Sequence, residues 1–127
     1  MHKSRLTSIV IDCADADYER AAAFWGAALG RPVLERNERF CSLRGRLGGG
    51  DGSPYLGLQR VPPAERAIHL DIETDDVAAE VARLEGLGAR VKARIRNHVV
   101  MEAPSGHAFC VVPSRRGDFP AGAAAWP

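Results

Sequence analysis

The chain has no excess of charge of either sign: 17 basic and 16 acidic side chains leave a formal net charge of +1 over 127 residues. A surface so balanced has no field with which to gather nucleic acid or an anionic membrane, and neither is expected as a partner. Long apolar runs are missing too, and none approaches the span of a bilayer. The opening MHKSRLTSIVIDCADAD lacks the apolar stretch and small-residue cleavage site of a secretory leader, so none is expected. Cysteine is scarce and unpaired. Cys13, Cys41 and Cys110 are odd in number, widely spaced and without a CxxC pair, which argues for reduced, structural thiols and a cytoplasmic location.

What is present is the composition of one folded domain. Hydrophobic residues make up 46% and charged residues 26%, and the length suits a single modest core. Residues 8–12, SIVID, alternate and are β-branched, which predicts a strand. Tyr18, Ala21, Ala22, Trp25, Ala28 and Leu29 recur at helical spacing. Asp15 or Asp17 is placed to cap that helix, and Gly30 to end it. Further on, residues 68–73, IHLDIE, alternate cleanly. Val77, Val81, Leu84 and Gly88 then mark a second helix, with Asp75 and Asp76 near its start.

The two helices end alike, Leu29-Gly30-Arg31-Pro32-Val33 and Leu87-Gly88-Ala89-Arg90-Val91. A polar hairpin region and a last strand follow each, closing at Arg60-Val61-Pro62 and Val111-Val112-Pro113. Landmarks repeated in the same order predict a duplicated βαβββ unit. The expected organisation is a single α+β domain over 1–113, with module one at about 6–62 and module two at about 66–113. Residues 114–127, rich in Ala, Gly and Pro, read as a loosely ordered tail. Trp126 packs back onto the body or onto a partner chain. The glycine-rich loop at 46–54 has no strand-to-helix context and is weak evidence for a phosphate site.

Strand alternation divides the side chains between two faces. Ile9 and Ile11, Leu56 and Leu58, Ile68, Leu70 and Ile72, and Phe109 and Val111 form the apolar sets expected under the helices. The opposite face receives Ser8, Val10 and Asp12, then Tyr55 and Gln59, then His69, Asp71 and Glu73, then Cys110. Aligning the halves sets Ser8 against His69 and Gln59 against Cys110.

With these residues in view, the chain resembles the vicinal oxygen chelate superfamily, in particular its glyoxalase-like and bleomycin-resistance-like members. The resemblance is carried by TSIVIDCAD, AAAFWGAALGR, IHLDIETDD and APSGHAFCVV, and covers about residues 6–113. It implies two pseudo-symmetric βαβββ modules whose curled mixed sheets form a cleft, and often a homodimer. Metal-dependent members take one ligand from the first and one from the last strand of each module. Carried over, those positions are Ser8, Gln59, His69 and Cys110. His69 and Gln59 suit a metal, Ser8 is a poor ligand, and Cys110 stands where glyoxalases have a carboxylate. Oxygen-rich octahedral sites need harder ligands than these, so glyoxalase activity is not expected.

Each of these residues also has a plainer role. His69 and Asp71 form an acid–base pair, or a hydrogen-bonded histidine and a solvated carboxylate. Cys110 is a zinc thiolate with His69 or a small apolar side chain. Tyr55 offers a stacking face or a hydroxyl. Lys92, Arg94 and Arg96 bind an acidic ligand or simply guard a strand edge. The expected function is binding of a small organic ligand by Ser8, Asp12, Tyr55, Gln59, His69 and Cys110, with His69 and Asp71 as candidate catalytic groups and no cofactor. The alternative is a divalent-metal lyase, isomerase or dioxygenase with His69, Gln59 and Cys110 as ligands.

Overall fold

A computed structural model describes residues 1–48 and 53–127. Gly49, Gly50, Asp51 and Gly52 of the glycine-rich loop lie outside the described residues. The chain forms two compact units, an N-terminal one of Ser8–His69 and a C-terminal one of Met1–Thr7 with Leu70–Pro127. The first strand, β1 (His2–Ala14), begins in the second unit and ends in the first.

In the N-terminal unit, β1 leads into α1 (Tyr18–Leu29), then β2 (Val33–Arg36), β3 (Phe40–Leu43) and β4 (Tyr55–Val61), with strand order β2-β3-β4-β1. β4 runs parallel to β1, and β3 antiparallel to β4. Asp17 stands at the N-cap of α1 but makes no capping bond there. Gly30 ends the helix at φ 63°, a left-handed conformation that costs glycine little. Tyr18, Ala22, Cys13, Cys41, Leu43, Leu56 and Leu58 form the core, with Ile9, Ile11, Ala21 and Trp25 packed around them. The expected helix-facing sets of β1 and β4 are therefore the observed ones. Each fully buried leucine contributes about 1.5–3 kcal/mol. Burial pushes the Cys13 thiol up from its ordinary value, with Cys41 and Asp12 adding to the effect, so it is a poor nucleophile.

The C-terminal unit repeats the plan with β5 (Ala67–Thr74), α2 (Val77–Gly86), β6 (Arg90–Ile95), β7 (His98–Glu102) and β8 (Ala108–Pro113), in the order β5-β8-β7-β6. The Asp76 carboxylate accepts from the Ala79 N–H at 3.0 Å and caps α2. Val81, Leu84, Val99, Met101 and Val111 make the core, with Ile72 and Phe109 against it. Ile68 and Leu70, expected under the helix beside Ile72, are instead 65% and 44% exposed. α2 packs over β6, β7 and β8, and ten residues of helix span only about 15 Å. The start of β5 lies beyond its cover. Arg96 leaves the expected strand face of Lys92 and Arg94, since it occupies a turn at φ 54°.

The tail expected to be loosely ordered carries a further strand pairing in this unit. β9 (Ala124–Trp126) runs antiparallel to residues His2, Lys3 and Ser4 of β1. The Trp126 indole N–H donates to Ser4 Oγ at 2.8 Å, and the Arg83 guanidinium lies 3.9 Å from the indole ring. Below it Glu80, fully buried, accepts from Ser4 Oγ at 2.9 Å, meets His2 Nε2 at 2.7 Å and accepts from Arg83 at 2.7 and 2.9 Å. Burial alone would raise its pKa. The bonds from Arg83, His2 and Ser4 outweigh that and hold it below the usual carboxylate value. A second network joins Arg5 to Glu73 at 2.6 Å and to Asp118 at 2.8 Å, with Arg116 on Glu73 at 3.0 Å. Arg5 also donates to the Ala121 carbonyl. Among the described residues no helix is long and apolar enough to cross a membrane.

Candidate functional site

The face of the N-terminal unit turned away from α1 is set by strand register. Ser8 pairs with Tyr55, Val10 with Gly57, and Asp12 with Gln59, while Phe40 of β3 pairs with Gln59 from the other side. Paired residues share a face, so Asp12, Gln59 and Phe40 form one row across three strands.

His69, the last residue of this unit, reaches that row. Its Nδ1 lies 2.6 Å from Asp12 Oδ2. A carboxylate only accepts, so the imidazole carries a proton on Nδ1 and donates it. The two side chains are 14% and 8% exposed, and a short, charge-assisted bond so far out of water is strong. The acid on His69 Nδ1 is Asp12; Asp71 pairs in register with Cys110 in the C-terminal unit. The other oxygen of Asp12, Oδ1, is buried and has no hydrogen-bond partner. Such a group costs about 1–3 kcal/mol unless something satisfies it.

Register also decides the fate of the four positions that the resemblance assigns to a metal. Ser8 is fully buried and lies four residues from the Asp12–Gln59 rung, about 13 Å along the strand. Ser8 and Gln59 therefore do not converge on one point in this unit. Cys110 is half-buried and opposite Asp71. Matching the units on Gln59 and Cys110 aligns Ile9-Val10-Ile11-Asp12 with Ile68-His69-Leu70-Asp71. The counterpart of His69 is then Val10, not the Ser8 that the sequence alignment chose. One imidazole, one amide, one buried hydroxyl and one thiol do not make the oxygen-rich set of a metal-dependent glyoxalase.

Sequence reasoning missed Phe40. Its ring covers Gly57, where a Cβ would clash with the ring's Cζ, and it meets Tyr55 edge-to-face at 6.4 Å between centroids. The signal available was Gly57 itself, a glycine inside a strand, which marks a close approach. Gly57→Ala is expected to lower stability by about 1–3 kcal/mol through overpacking. A urea midpoint unchanged from wild type would show that the ring does not rest on Gly57.

A family model described as a glyoxalase-like domain matches residues 8–112. No curated protein matches the chain. Among solved structures, a Streptomyces coelicolor methylmalonyl-CoA epimerase in complex with 2-nitronate-propionyl-CoA is 22% identical, with TM-score 0.59, covering 88% of this chain and 98% of its own. The Mn(II)-bound glyoxalase from Novosphingobium aromaticivorans is 17% identical, with TM-score 0.60, over 89% of this chain and 40% of that one. An NAD-dependent benzaldehyde dehydrogenase structure from Legionella pneumophila is 11% identical, with TM-score 0.61, over 84% and 99%. Likeness at such identities shows the fold, the paired βαβββ plan, and says nothing of the reaction.

Proposed function

Because this chain belongs to the glyoxalase-like domain family, we propose that it binds a small organic ligand on the Asp12–His69 face of its N-terminal unit, without a resident metal. The observation that carries this reading is the 2.6 Å His69–Asp12 bond, set in a row with Gln59 and beside the Phe40 and Tyr55 rings. Polar groups are expensive to bury, and a fold with no use for them replaces them by apolar ones. A few polar groups convergent beside aromatic walls is the usual make-up of a small-molecule site. The epimerase structure holds 2-nitronate-propionyl-CoA and the glyoxalase structure holds Mn(II), so the fold accommodates both kinds of occupant.

Tyr55 would border the ligand, and Asp12, Gln59 and His69 would hydrogen-bond it. If the bound molecule is also transformed, His69 is the group to move its protons. The same reading has the domain working as a cytoplasmic homodimer, with neither nucleic acid nor membrane as partner.

Elemental mass spectrometry on protein purified without chelators or a metal-binding tag tests the proposal. The expected result is far less than one metal per chain, in wild type and His69→Ala alike, even after incubation with Zn, Ni, Mn and Fe. Near-stoichiometric metal that His69→Ala abolishes would replace this reading by the metal-dependent lyase, isomerase or dioxygenase one, with His69, Gln59 and Cys110 as ligands.

A further inference from the structure

Among the described residues of the N-terminal unit, one buried carboxylate has its bonding half complete. Asp12 spends Oδ2 on the His69 Nδ1–H, while Oδ1 stays buried without a partner. The side chain is 8% exposed, too dry for bulk water to serve the second oxygen. Packing alone gives no reason for this. Val10, on the same face one step back, shows that β1 accepts a buried apolar residue here, and an orphaned oxygen is a standing cost that a valine would remove.

We infer that Asp12 Oδ1 is the anchor for a hydrogen-bond donor on the ligand, so the site selects molecules that present an O–H or a protonated amine beside a flat apolar part. The inference rests on the ligand-binding reading above and specifies its chemistry. His69 supplies the selectivity. By donating Nδ1–H to Oδ2 it fixes the carboxylate as an acceptor, and an acceptor in a dry site rejects carbonyls and carboxylates while favouring donors. The flat part is selected by Phe40. Phe40 and Asp12 flank Gln59 on neighbouring strands, which places their backbones about 10 Å apart. A ring stacked on Phe40 leaves one or two bonds to reach Oδ1. Gly57 is what lets the Phe40 ring lie down on that surface. A hydroxyl and an ammonium share the required donor, and the probes separate them.

The test uses the full chain and three probes of one ring size: phenol, benzylamine and the acceptor-only acetophenone. Binding is read from probe-induced shifts of the Asp12, Gln59 and Phe40 backbone amides in 1H–15N spectra. Wild type is expected to prefer phenol or benzylamine over acetophenone, the preferred one naming the donor type. Asp12→Asn keeps the acceptor for His69 and puts an NH2 at the second position. It is expected to weaken the preferred donor about tenfold or more and to turn the preference towards acetophenone. If Asp12→Asn does not fold, Asp12→Thr takes its place, with loss of the donor preference as the readout. An Asp12→Asn protein with the wild-type order of preference would overturn the inference while leaving the binding face standing. Shifts at none of these amides with any probe, in wild type, would overturn both.

Discussion

Arg5→Met is expected to remove about 3–4 kcal/mol of unfolding free energy, at the lower end of what breaking a buried ion pair costs. Arg5 is 7% exposed and Glu73 2%, so the carboxylate left behind cannot reach water. Arg116 still holds Glu73 at 3.0 Å, which is why the loss stays at the lower end. Asp118 and the Ala121 carbonyl lose a donor in the same change, so the damage spreads into the C-terminal residues. Guanidinium denaturation gives the loss directly. Adding Glu73→Leu to Arg5→Met should recover at least half of it, because a buried pair replaced as a whole by apolar groups is often nearly neutral. A double variant as unstable as the sum of the two single ones would mean that the two side chains do not interact.

Glu80→Gln is the second large effect, about 2–3 kcal/mol at neutral pH, from charge-assisted bonds exchanged for neutral ones. It also carries a pH signature. The folded-state pKa of Glu80 lies below its ordinary value, so its contribution is complete above the unfolded carboxylate pKa. The contribution is lost as pH falls through the folded value. Thermal melts from roughly pH 7 to pH 3 should therefore show wild type and Glu80→Gln converging in acid. Melting curves that stay equally far apart would assign the loss to shape rather than to charge.

Much of this fold was written plainly in the chain. The duplicated strand-helix order, the left-handed Gly30 and the apolar sets of β1 and β4 all follow from short-range periodicity, which a single sequence exposes. The candidate site was legible as a set of residues and illegible as a geometry. Asp12 and His69 are separated by 57 positions, and no local pattern says which strand carboxylate an imidazole reaches. Register has the same character: Ser8 and Gln59 match the family's spacing, yet the strand pairing puts Asp12 on the Gln59 rung. Ile68 and Leu70 read as core because alternation says which face a residue takes, but not how far a helix extends over it. The C-terminal residues misled through composition. Ala, Gly and Pro suggest looseness, whereas Trp126, Asp118 and Arg116 supply the specific bonds.

The pairing of β9 with His2, Lys3 and Ser4 joins segments that lie far apart along the chain. During synthesis, the leading edge of β1 emerges long before β9 exists, and closing so long a loop comes late for reasons of entropy. Until residues 124–126 emerge, that edge carries open backbone donors and acceptors. The C-terminal unit is thus completed only once residues 124–126 have emerged, and a variant cut before them would leave the first strand without that neighbour.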